Sequence, residues 1–313
     1  MPLGDYPSPM AGKRSRRGQG ARRNQLPAGM QRTAAPGKQL KVLIDLVVEV
    51  ARTTENGLFE IPQPDDATQN ELIRFDAALL VRGSNALKAA RVLCKEGFWE
   101  SAVGCVRQLF ELVLDAEHIA RQPDRHAAIS MYAKYGLLQM VREQAAELRY
   151  DESTGRTVDT ERLTMLELML EHTFPEFRHV NATGRVSWDK RWSRLDARRL
   201  AELSTHRLRK KQYELLFSSW SEQVHAAPGA LLDDLFRREI DVERIVRDDV
   251  TRSAEALSIG VTLFLELAML LPNLPQLDPA SVFKWTTVLA HEAERHGGRS
   301  APLGRPMTEG GTS

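Results

Sequence analysis

The sequence predicts an all-α fold: a single compact multi-helix bundle between two disordered ends. Three observations predict it. Apolar residues recur three and four apart from about Gln39 to His296, runs with the two-residue period of a strand are few, and Gly and Pro fall between the periodic stretches. With 42% apolar residues in 313, the chain can bury a substantial core.

Residues 1–37 carry Lys13, Arg14, Arg16, Arg17, Arg22, Arg23 and Arg32 against one acid, Asp5, and have no apolar period. Such a segment buries too little to offset the entropy of ordering, so it reads as a disordered basic tail, as do residues 297–313. The tail's net charge of +6 leaves −5 on the rest of the chain, residues 38–313, which includes the expected bundle domain at 38–296, a balance that neither selects nor excludes a nucleic-acid partner. Through residues 13–32 the tail is expected to touch nucleic acid weakly and without sequence preference, with binding that falls as salt rises. Deleting residues 1–37 should remove that binding. An unchanged salt slope after the deletion would exclude the tail as the binding element.

The first helix spans about 39–52 and is broken by Gly57, Pro62 and Pro64. The second covers about 67–95 and ends at Gly97, a residue suited to left-handed C-terminal geometry. A third, about 99–121, stops at Gln122 and Pro123. Asp124 caps a fourth to about Tyr150, and Asp159 or Thr160 caps a fifth to His172. Pro175, Asn181 and Gly184 make Phe174–Ser187 a connecting loop. Helices at about 196–204 and 206–225 follow, then an irregular charged stretch, then helices at about 249–271 and 279–296. The segment ALKAARVLCKEGFWESAVGCVRQLFEL looks like one hairpin of a tetratricopeptide array, but no second copy exists, so a bundle is the better reading.

The most apolar run, Leu257–Leu271, spans 15 residues and contains Glu266. It is too short and too polar to cross a bilayer, which predicts a buried helix and no membrane partner. Cys94 and Cys105 sit in helical apolar patterns without a zinc-spaced Cys/His set, which fits a reducing cytoplasm. The N-terminus lacks the apolar core of a secretory signal. Arginine outnumbers lysine 33 to 10, in keeping with a high-GC bacterial gene.

Two helical faces carry candidate chemistry. In RQLFELVLDAEH, Arg107 and Glu111 are four apart and share a face beside Val106, Leu109, Phe110, Val113 and Leu114; Asp115 and His118 continue that edge. A surface ion pair and a charged edge lining a cleft are both compatible with this spacing. In KQYELLFSSWSEQVH, Glu214, Ser218, Ser221 and His225 form a polar line at steps of four, three and four, opposite Leu215, Leu216, Trp220 and Val224. A histidine there suits proton transfer, but it also complements a helix C-terminus.

Other motifs are weaker. Glu176 and His179, and Glu222 and His225, have the Glu-x-x-His spacing of di-iron bundles, but the first pair lies in a loop, so no metal is expected. Arg199 with His206, and Arg121 with His126, approximate the arginine–histidine spacing of HEPN ribonucleases, each across a helix junction. There is no Gly-rich nucleotide loop, no Gly-x-Ser-x-Gly elbow and no partnered thiol, so no cofactor is expected. Trp188 and Trp192, at helical spacing, are read as packing.

Gly97 at a helical turn, Ala102 and the Arg107-x-x-x-Glu111 helix, followed much later by Tyr213, Ser221 and His225, resemble an uncharacterised, mainly bacterial family known only as a domain of unknown function. The resemblance covers roughly residues 70–270, with Ser221 four residues before His225 where the pattern has three. It implies a helical bundle, no established activity, and a meeting of Arg107, Glu111 and His225 in space. The preferred expectation is therefore a polar cleft, lined by Arg107, Glu111, Tyr213, Ser218, Ser221 and His225, that binds a ligand or a protein partner. The enzymatic alternative is a metal-independent, HEPN-like ribonuclease in a defence or toxin role, with His225 as general base and Arg107 on the phosphate. The third is an interaction protein whose basic tail binds nucleic acid.

Overall fold

The computed structural model of the chain describes residues 36–61, 64–220 and 242–296. Among these, nine α-helices and one two-stranded hairpin account for the regular structure: α1 Lys41–Leu58, α2 Ala67–Lys95, α3 Trp99–Ala120, α4 Arg125–Ser153, α5 Thr160–His172, β1 Arg178–Val180, β2 Val186–Trp188, α6 Ala197–Leu203, α7 Arg209–Glu214, α8 Val242–Met269 and α9 Pro279–Arg295. The all-α expectation holds. The helix starts follow capping chemistry, since Asp66, Asp124, Asp159, Asp196 and Asp278 each accept a backbone N–H from the first turn that follows. Gly97 turns α2 into α3 at φ 82°, the left-handed conformation that its lack of a Cβ permits.

Four boundaries differ from the sequence reading. The basic tail was expected to run to residue 37, yet Pro36–Lys38 form a 3-10 turn with Pro36 buried. Helix α1 continues past Arg52 because Thr54 is buried, its hydroxyl donating to the Val50 and Ala51 carbonyls, while Glu55 reaches Ser84 and Lys88 on α2. The expected loop at Phe174–Ser187 holds a 3-10 turn, Pro175–Phe177, and the antiparallel β1–β2 hairpin. Its β-branched and aromatic residues suit paired strands, and the Asn181 side chain accepts from the Thr183 and Arg185 amides to close the turn. Helix α8 begins at Val242, within the stretch read as irregular.

The main core joins α1, α2, α3 and α8, with contributions from α6, α9 and the chain after α7. Gly83 on α2 lies where α8 crosses closely: a Cβ there would stand 2.6 Å from Leu267 Cδ2. A second, smaller apolar cluster lies between α4, α5, Phe174, Phe177 and Trp192, with Ile119 at the end of α3. Helix α3 therefore serves both clusters. Its polar edge runs toward the second cluster and is faced by Arg191, Trp192 and Phe217.

Candidate functional site

The edge Arg107, Glu111, Asp115, His118 descends α3 at steps of four, four and three, one face of a helix. The Arg107 guanidinium lies 4.2 Å from the centre of the Phe217 ring, and its Nη1 is buried with no hydrogen-bond partner among the described residues. Tyr213 stacks on that same Phe217 ring at 4.8 Å between centroids and 17° between planes. Glu111 accepts from Arg191 Nη2 at 3.1 Å. Asp115 accepts from Trp192 Nε1 at 3.0 Å, and the His118 imidazole packs on the Trp192 ring at 5.2 Å.

The environment tunes these groups. Asp115 is only 7% exposed, and burial lifts its carboxyl from 3.8 to about 6 against the opposing effects of the Trp192 hydrogen bond and Arg191; the Glu111 charge adds to the rise. Burial also lowers the His118 imidazole, and Arg121 lowers it further. The neighbouring Tyr132 phenol is pushed up to about 12 by burial and then by Asp115. An imidazole whose pKa burial lowers, a carboxyl raised to about 6 and a guanidinium with an N–H unpaired among the described residues thus share one helix edge.

The structure brings Arg107 and Tyr213 together through Phe217, and it sets Glu111 one turn along the same edge. It does not form the Arg107–Glu111 surface ion pair that the spacing allows, because Arg191 takes the carboxylate and the aromatic ring takes the guanidinium. Leu215–Ser219 form a π-helical turn, wider than the α-helix expected there. With that turn, Leu216 and Trp220 are buried in the core while Phe217 meets Phe110 and Arg107. Ser218 lies in the turn, its side chain outside the described positions; Ser221 and His225 lie outside the described residues.

The HEPN-type pairs are engaged elsewhere. Arg199 pairs with Glu202 and His206 with Glu266, while Arg121 donates to the Glu117 and Leu203 carbonyls and His126 meets Glu71. Glu176 pairs with Lys134, and His179 with Asp189, so the loop Glu-x-x-His has no free ligand pair. No His, Cys, Asp or Glu group of three with metal-site geometry occurs among the described residues. No helix among them is long and apolar enough to cross a membrane.

Sequence reasoning missed Arg209. It is 1% exposed and bridges Glu117 on α3 to Glu266 on α8, with Nη2 2.5 Å from Glu117 Oε1 and Nη1 2.7 Å from Glu266 Oε2. Burial by itself disfavours the charged guanidinium, but the two carboxylates outweigh it and raise its pKa. Ser204 also donates to Glu117, at 2.8 Å. This clasp fixes the chain entering α7, and with it Tyr213 and Phe217, against α3. The available signal was Glu266, a lone carboxylate in the most apolar run of the sequence.

Among known proteins, no curated protein and no solved structure matches the chain. A family description does match, over residues 77–242, which include α3, its polar edge and the chain that covers it. That match spans more than half of the 313 residues, and the chain belongs to the family of unknown function DUF5677.

Proposed function

We propose that the polar edge of α3 is a binding site for an anionic ligand or an anionic group of a partner, and that Arg107 is its anchor. The observation that carries this reading is the buried Nη1 of Arg107, which has no hydrogen-bond partner among the described residues. A guanidinium donor withdrawn from water without an acceptor is costly, and an incoming oxyanion would relieve that cost. Phe217 holds the guanidinium plane from one side, and Tyr213 supports Phe217 in turn. Glu111, fixed by Arg191, and the carboxyl of Asp115 add acceptors for the polar remainder of the ligand. We further propose that Ser218, Ser221 and His225, which follow Phe217 in the sequence, contribute to the same site. His225 with Glu111 and Arg107 would then supply proton transfer and charge stabilisation, should the bound group react.

Inorganic phosphate and pyrophosphate are suitable probes. A ligand that binds only the folded state raises the melting temperature with concentration. The wild-type protein should show that rise, and Arg107→Met, which retains an apolar stem against Phe217, should lose it. A rise of equal size in Arg107→Met would remove Arg107 as the anchor.

A further inference from the structure

Away from the α3 edge, one face of α4 is hollowed. Arg142, Ala146 and Arg149 recur at steps of four and three, so the small Ala146 sits between two long cationic side chains. With Leu170 of α5 and Trp188 at the end of β2, they line a cavity of about 480 Å³, a size typical of small-ligand clefts. Trp188 is partly buried against the second core, which fixes its ring as one wall. The Arg142 guanidinium lies 5.9 Å from the centre of that ring and forms no ion pair among the described residues. Arg149, by contrast, is engaged through Nε and Nη2 by Glu167. Glu143 contributes the one carboxylate that lines the cavity.

This combination is specific in chemistry. A fixed indole offers a stacking surface for a planar ring, an uncommitted guanidinium beside it offers paired donors to phosphate, and a carboxylate accepts from amino or hydroxyl groups. We propose that this cavity binds a nucleotide, with the base against Trp188, the phosphate on Arg142 and the sugar or an exocyclic amine toward Glu143. Nothing in it depends on the α3 edge.

The test is a titration of the full chain with adenosine monophosphate, followed by tryptophan emission. The chain has five tryptophans, so Trp188→Phe supplies the baseline. Saturable quenching is expected in the wild type and absent in Trp188→Phe. Adenosine alone and inorganic phosphate alone should each compete at least about tenfold more weakly than the nucleotide, since each retains only part of the contacts. Arg142→Gln should weaken binding by a similar factor, and Ala146→Leu, which fills the hollow, should abolish it with the helical circular dichroism unchanged. Arg107→Met should bind as the wild type does, which separates this site from the one on α3. An oligoadenylate hexamer distinguishes two sources of the same group: displacement at lower concentration than the monophosphate assigns the site to a nucleotide within a strand, and weaker displacement assigns it to the free nucleotide. The proposal is overturned if adenosine, guanosine, cytidine and uridine monophosphates and the hexamer all fail to bind saturably. It is equally overturned if binding survives both Arg142→Gln and Ala146→Leu.

Discussion

Arg209→Ala is expected to lower the free energy of unfolding by about 3–5 kcal/mol, the range seen when one partner of a buried ion pair is removed. The loss comes from stranded charge. Arg209 is 1% exposed and stands between Glu117 and Glu266, whose side chains are 11% and 14% exposed. Without the guanidinium, two carboxylates on α3 and α8 face each other in a poorly hydrated space. Ser204 and His206 remain near them, but a hydroxyl and an imidazole do not replace five guanidinium donors. The triple variant Arg209→Met, Glu117→Gln, Glu266→Gln should recover much of the loss, because the penalty lies in unpaired charge more than in lost contacts. Urea unfolding reads both values. A loss below about 1 kcal/mol for Arg209→Ala would show a pair of the weak, solvent-screened kind.

The opposite sign is expected at Asp115. Its carboxyl is raised from 3.8 to about 6 in the fold, which amounts to about 3 kcal/mol of preference for the neutral form. Between these values the folded chain holds a proton that the unfolded chain has released. The contribution of Asp115 to stability therefore falls as pH rises from about 4 to about 6, and stays at its lowest above that. Asp115→Asn keeps the acceptor for Trp192 Nε1 and removes the buried charge, so it should stabilise the protein by up to about 3 kcal/mol above pH 6, with the gain vanishing below about pH 4. Thermal melts of the two proteins across that range measure it. A pH-independent difference, or a loss of stability at neutral pH, would mean that the charged carboxylate is well accommodated.

The helices were legible because local signals repeat. Apolar periodicity, with Asp124 and Asp159 or Thr160 as caps, marks where α2, α4, α5, α6 and α9 begin, within a residue of their observed starts. The edge Arg107–Glu111–Asp115–His118 was legible for the same reason, since helical spacing alone puts four polar residues in one row. What each of them meets was not. Trp192 and Phe217 lie about eighty to a hundred residues further on, and long-range partners leave no periodic trace. Leu215–Ser219 read as ordinary α-helix, because a π turn has the composition of one. Arg209 sits in RLRKK, where a buried clasp and a solvated basic run look the same in sequence.

The central claim, that Arg107 waits for an anion, is tested most directly by nuclear magnetic resonance of the arginine Nε–Hε groups during titration with inorganic phosphate. The Arg107 signal is identified by its absence from Arg107→Lys. It should move saturably with phosphate, and with a dissociation constant that matches the concentration dependence of the melting temperature. An Arg107 signal that stays in place while phosphate stabilises the protein would put the anion elsewhere and contradict the account.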